Sequence, residues 1–369
     1  MLIIGLLVLF LPLLQSYLPL IKLYPLAGET VVYKDTTLTL ATYLSGNFQK
    51  KTDKFLSSNF GFRSLLIKLN NQLNFSLFNK VNAHGVIAGK DNYLFETTYI
   101  NSYYGKDLMP EDSINIQVTR FKAISEKLLK LNKHLVLVIA PSKPCYFKEF
   151  LPDDKNKTSK NNYQLITDAM KRKPVNCIDF SDWFNANKYK SKYPLYPKHG
   201  NHWSMYGSYL VADSLIKYME TKQHIDLPNL VLKSISIEQP KNEDKDIEYG
   251  INLLFKLKSY DLAIPEIGIG DSIGKTKPNV LIIGDSFYWN IYNMEIAKCF
   301  NNSSFWYYNQ VVYQNNHQKH PLVSNLNFEE EISKYDFIFI LATESNTKSF
   351  GWGFMEKAEA YLNNHPIIN

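Results

Sequence analysis

The chain has 369 residues, 45% of them hydrophobic and 21% charged, with a formal net charge of +6. That is enough apolar material for one large domain or two small ones. The positive charge invites nucleic acid as a partner, but only Arg63, Arg120 and Arg172 are arginine and the lysines are interleaved with acids. Forked contacts to phosphates and bases are therefore scarce, and no nucleic-acid role is expected.

Residues Leu2 to Ile21 carry no charge. Twenty such residues are long enough to span a bilayer as a helix. A cleaved signal peptide is the rival reading, but a basic leader is missing and Pro25 spoils the cleavage site. The expectation is a transmembrane anchor over 1–24 and a single-pass location in the cytoplasmic membrane, followed by a linker over 25–54. Phe55 to Phe78 has helical periodicity. From there helices and apolar strands alternate: helix Ile114–Leu131, strand His134–Ala140, helix Tyr163–Lys171 and strand Val175–Phe180. A periodic helix from Met205 to Met219 comes next. The charged, Gly-containing stretch 222–277 reads as an insertion with short strands at Leu230–Ile237 and Asn252–Leu257. The strands Asn279–Ile283, Ser304–Tyr308 and Asp336–Leu341 and a helix to Leu362 complete the chain. This alternation predicts an α/β fold, a three-layer sandwich over 55–369 with a mainly parallel sheet.

Two constellations carry chemistry. Asn279-Val-Leu-Ile-Ile-Gly284-Asp285-Ser286 is an uninterrupted apolar run that ends in Gly-Asp-Ser, with helical character from Phe287 to Lys298. A serine on such a strand-to-helix turn presents its hydroxyl at the C-terminal edge of a sheet, beside backbone N–H groups able to hold an oxyanion. Asp or Ser at a helix start is also an ordinary N-cap, so the triplet alone leaves both readings open. The second constellation, Tyr196-Pro-Lys-His199-Gly200-Asn201-His202-Trp203-Ser204, is a loop running into the Met205 helix. Histidine is the commonest base for a serine nucleophile near neutral pH. His199 and His202 are spaced like a metal pair, but no Asp, Glu or Cys nearby completes a ligand set. No metal is expected, and with no phosphate loop or dinucleotide fingerprint no cofactor either. Cys145, Cys177 and Cys299 lack paired spacing and read as free thiols.

With His202-Trp203 preceding Gly284-Asp285-Ser286-Phe287, the chain resembles the SGNH-hydrolase-like domain of the alginate O-acetylation proteins, the AlgX/AlgJ type. Asn59-Phe60-Gly61-Phe62-Arg63, Gly89-Lys90 with Leu94-Phe95, and Ala140-Pro141-Ser142-Lys143 resemble further segments of that family in the same order. The resemblance implies an O-acetyltransferase that uses an acetyl-serine intermediate on an extracytoplasmic polysaccharide, with a membrane-bound O-acyltransferase as acetyl donor. Ser286 would be the nucleophile and His202 the base. The implied oxyanion and substrate-binding residues are Asp285, Asn346 and Trp203. One departure stands out: where the family has Asp-x-His-Trp, this chain has Gly200. Glu344, on a loop after a C-terminal strand, is the expected replacement acid; Asp244 and Asp246 sit in a charge run that reads as solvated. Without an acid, the chain would work as a Ser-His dyad or be a degenerate glycan-binding or scaffold component; a carbohydrate esterase is a further alternative.

Overall fold

The computed structural model describes residues 2–28, 33–34, 36–153, 158, 160–314 and 320–364. They form two compact units, Met1–Ala88 with Asp246–Lys258, and Gly89–Lys245 with Ser259–Asn369.

The first unit is helical: α1 Leu2–Tyr17, α2 Leu40–Leu44, α3 Asn47–Asn59 and α4 Arg63–Phe78. The expected transmembrane anchor and the single-pass membrane location are overturned here. Among the described residues no helix is long and apolar enough to cross a membrane. Pro19 disfavours helical backbone at Leu18, so α1 stops at 16 residues. At about 1.5 Å per residue it falls short of a hydrocarbon core about 30 Å thick. The Gln15 side chain then folds the chain back, donating to the Ile21 carbonyl at 2.7 Å and accepting from its N–H at 3.1 Å. The span expected as a linker also contains structure: the reciprocal capping of Thr39 and Thr42 starts α2, and α3 follows it. The periodic stretch from Phe55 is broken between α3 and α4, where Phe62 takes a left-handed φ of 64°.

The second unit holds the sheet. Besides the short strand Leu94–Glu96, its strands are β1 His134–Ala140, β2 Cys177–Asp179, β3 Leu230–Glu238, β4 Leu262–Ile269, β5 Asn279–Gly284, β6 Asn302–Tyr307, β7 Val311–Tyr313 and β8 Phe337–Thr343, of which β3 and β4 make a separate pair. Six of them form one sheet in the order β2-β1-β8-β5-β6-β7, parallel except for the edge strand β7. Alternate residues point to opposite faces. Leu135, Leu137, Ile139, Leu281, Ile283, Ile338 and Ile340 share one buried cluster with Ile114, Val118 and Phe121 of helix α5 Glu111–Lys130. On the other face helix α6 Met205–Gln223 brings Tyr218 edge-on to Phe339 at 6.3 Å. The three-layer α/β expectation therefore fits this unit. Within 222–277, β3 pairs antiparallel with β4, so the second strand lies at Leu262–Ile269 rather than Asn252–Leu257.

Candidate active site

Parallel strands place their C-terminal ends on one edge, where loops converge. Here β5 ends at Gly284 directly beside Leu341 of β8 and Tyr307 of β6. Ser286 follows on the turn, and His202 enters from the loop before α6. The His202 Nε2 and Ser286 Oγ lie 2.9 Å apart, within the reach a base needs to take the hydroxyl proton. Phe287 packs edge-on against the imidazole at 4.8 Å. The two residues are 84 apart in sequence, and the fold brings them into hydrogen-bond contact.

The His202 loop is held from beneath. The fully buried Lys143 donates to the carbonyls of Lys198 and Gly200, each at 2.7 Å. The Tyr196 hydroxyl donates to the Asn201 carbonyl at 2.7 Å. Ser204 caps α6, accepting from the Gly207 N–H at 3.0 Å. Neither Lys143 nor Tyr196 was singled out as a support from the sequence, although the Pro141-Ser142-Lys143 loop carries one of them.

The remaining expected site residues have other occupations. Asp285 is fully buried and accepts from the Thr343 N–H at 2.7 Å, the Thr343 hydroxyl at 2.8 Å, the Asn346 side chain at 2.8 Å and the Phe287 N–H at 3.1 Å. It ties the Ser286 turn to the loop after β8. Asn346 commits a side-chain N–H to that tie. Trp203 is fully buried against Phe184 and Phe287, and its carbonyl accepts from Asn290 at 3.1 Å. The helix after Ser286 is also shorter than expected: α7 Tyr288–Tyr292, ended before Glu295, whose φ is 59°.

Glu344 hydrogen-bonds to Ser142, whose hydroxyl donates at 2.7 Å, and not to His202. Burial pushes its carboxyl up to about 8, with only partial relief from Ser142 and Cys145. It is therefore protonated near neutral pH, unlike an acid that must stabilise an imidazolium. Because the unfolded chain ionises it near 4.5 and the folded one near 8, its contribution to stability falls as pH rises through that window and is flat above it. Glu344→Gln, which mimics the protonated form, should flatten that fall. The variant is expected to melt several degrees above wild type at pH 8 and to match it near pH 4. Identical melting curves at both pH values would remove the buried-proton assignment.

Asp244 is the carboxylate the charge-run reading passed over. It is 4% exposed, while its neighbours Asn242 and Glu243 are exposed. Its main chain fills the space beside Gly200: a Cβ on Gly200 would lie 2.5 Å from the Glu243 carbonyl oxygen and 2.7 Å from the Asp244 carbonyl carbon. The position where the resemblance expects the acid thus has no room for a side chain, and a buried Asp abuts it from another segment. Asp246 begins the piece of chain that belongs to the first unit.

Residues 86–241, including the His202 loop, match the family described as SGNH hydrolase-like domain, acetyltransferase AlgX. That match makes this segment similar to an AlgX-type SGNH hydrolase-like domain and spans less than half of the chain. Among solved structures it is similar to the O-acetyltransferase domain of Pseudomonas putida AlgJ, with 14% identity, 75% of this chain and 99% of that one covered, and a TM-score of 0.48. Pseudomonas aeruginosa AlgX gives 14% identity, coverage of 73% and 67%, and a TM-score of 0.45. Bacillus cereus PatB1 gives 13%, coverage of 71% and 96%, and 0.43. No curated protein matches the sequence. The AlgX-type match stops short of Ser286, so the nucleophile rests on the geometry alone.

Proposed function

We propose that the protein is an O-acetyltransferase that moves an acetyl group through Ser286 onto a polysaccharide hydroxyl. The observation that carries this reading is the 2.9 Å contact between His202 and Ser286 at the sheet edge. The AlgX-type acetyltransferase match over the His202 half supports it. In the first step Ser286 Oγ attacks the acetyl carbonyl while its proton passes to His202 Nε2, and the backbone N–H of Ser286 holds the oxyanion. Collapse expels the donor's oxygen or sulfur, which takes the proton from Nε2. The acceptor hydroxyl then gives its proton to Nε2, attacks the acetyl-serine and leaves Ser286 free. A membrane-bound O-acyltransferase is the proposed acetyl source. Asp244 is the proposed acid behind His202, in place of Glu344.

Incubation with p-nitrophenyl acetate should add one acetyl mass to the protein, localised to Ser286. Ser286→Ala and His202→Ala should each lose that adduct while remaining folded by circular dichroism. An equal adduct on the Ser286→Ala protein would remove Ser286 from the role. An esterase would instead release acetate at the same rate with or without a glycan acceptor.

A further inference from the structure

Aromatic side chains gather on the elements around Ser286. Tyr307 and Tyr308 leave β6 next to Gly284, with the Tyr308 N–H bonded to the Gly284 carbonyl at 2.8 Å. The Tyr308 side chain lies beside Ser286. Trp289 lies one turn after Ser286, its N–H on the Ser286 carbonyl at 3.2 Å. Its ring centroid is 5.5 Å from Tyr307 and 4.6 Å from Tyr313. Trp352 meets Tyr308 edge-on at 5.2 Å. All five rings are half-buried rather than sealed in the core.

A packing role alone does not explain the backbone. Tyr308 and Trp352 have φ of 49° and 51°, a region bulky side chains avoid. Such strain persists only where the surroundings enforce it, and it gathers at functional sites. Asn309 enforces it here: it is buried, and its side-chain N–H donates to the Trp352 carbonyl at 3.0 Å, locking the two loops together.

The geometry points to Trp289, Tyr307, Tyr308, Tyr313 and Trp352 as the acceptor subsite, a wall on which pyranose rings of the glycan stack beside Ser286. This rests on the acetyltransferase reading for its purpose, though not for its binding chemistry. A sugar ring has flat C–H faces and a polar rim. Half-exposed Tyr and Trp answer both, with an apolar ring for the face and a hydroxyl or indole N–H for the rim. A small acetyl donor needs no wall spanning five rings.

The test uses full-length Ser286→Ala protein, which cannot turn over, titrated calorimetrically with chitopentaose, xylohexaose and hexamannuronate. At least one should bind. Its Kd should rise at least about tenfold in Trp289→Ala and in Tyr308→Ala, and stay within about threefold in Trp289→Phe, which keeps a flat ring. Should Trp289→Ala fail to fold, Tyr308→Ala and Trp352→Leu carry the same reading. No binding by any of the three oligosaccharides, or unchanged Kd in the folded variants, overturns the wall. Absence of an acetyl adduct on the wild type would instead overturn the acetyltransferase reading and leave this measurement standing.

Discussion

Asp244→Asn is expected to slow acetylation of Ser286 by about a hundredfold to ten-thousandfold, the cost of removing the acid from a serine–histidine pair. Asn keeps the volume and hydrogen-bonding atoms of a residue that is 4% exposed, so the fold should survive. A residue that merely packed against Gly200 would alter stability and leave the pH dependence in place. A carboxylate that stabilises the imidazolium does more: without it the imidazolium gives up its proton more readily, and the acid limb of the pH–rate profile moves to lower pH. Stopped-flow release of p-nitrophenol across pH 5–9 reads both quantities. Wild-type rate and an unmoved limb in Asp244→Asn would leave Ser286 and His202 to act as a pair.

Asp285→Ala should cost on the order of 3–5 kcal/mol of stability, because it leaves several buried donors unsatisfied at about 1–3 kcal/mol each. Four donors converge on this carboxylate, and in a fully buried site none regains water when it is deleted. Urea unfolding should show the midpoint falling with the slope unchanged. Thr343→Val, which removes only the hydroxyl donor, should cost far less. If Asp285→Ala unfolds like wild type but no longer acylates, the residue belongs to the chemistry after all.

Much of this was legible in the chain. The apolar runs of β1, β5 and β8 have no reading except strands buried on both faces, and they gave the sheet. The Gly-Asp-Ser turn and the His-Trp loop pointed to the two side chains that meet at 2.9 Å, because each is announced by local punctuation. What stayed hidden depended on partners far away in sequence. Asp285 and Asn346 look like caps or oxyanion donors until the fold sets them 2.8 Å apart across 61 positions. Glu344 looks like a free carboxylate until Ser142, 202 residues earlier, takes it. Asp244 looks solvated because its neighbours are charged, and charge patterning cannot show which member of a run turns inward. Local misreadings had local causes. Pro265 inside β4 argues against a strand, yet in a two-stranded hairpin it can sit with its ring nitrogen away from the partner. Pro19, two residues past Tyr17, lies inside the uncharged run and ends the helix.

The tie between Asp285 and the loop after β8 bears on when the nucleophile is placed. Ser286 hangs from a turn whose preceding side chain is bolted to a neighbouring strand end, so in the proposed acyl transfer its backbone N–H would not swing as acyl groups arrive and depart. The ordering entropy of that N–H is therefore lost once, as the chain folds, and not again in every catalytic cycle. Such a site should show nearly superimposable turn geometry before and after acylation, with adjustment confined to whatever the acceptor touches.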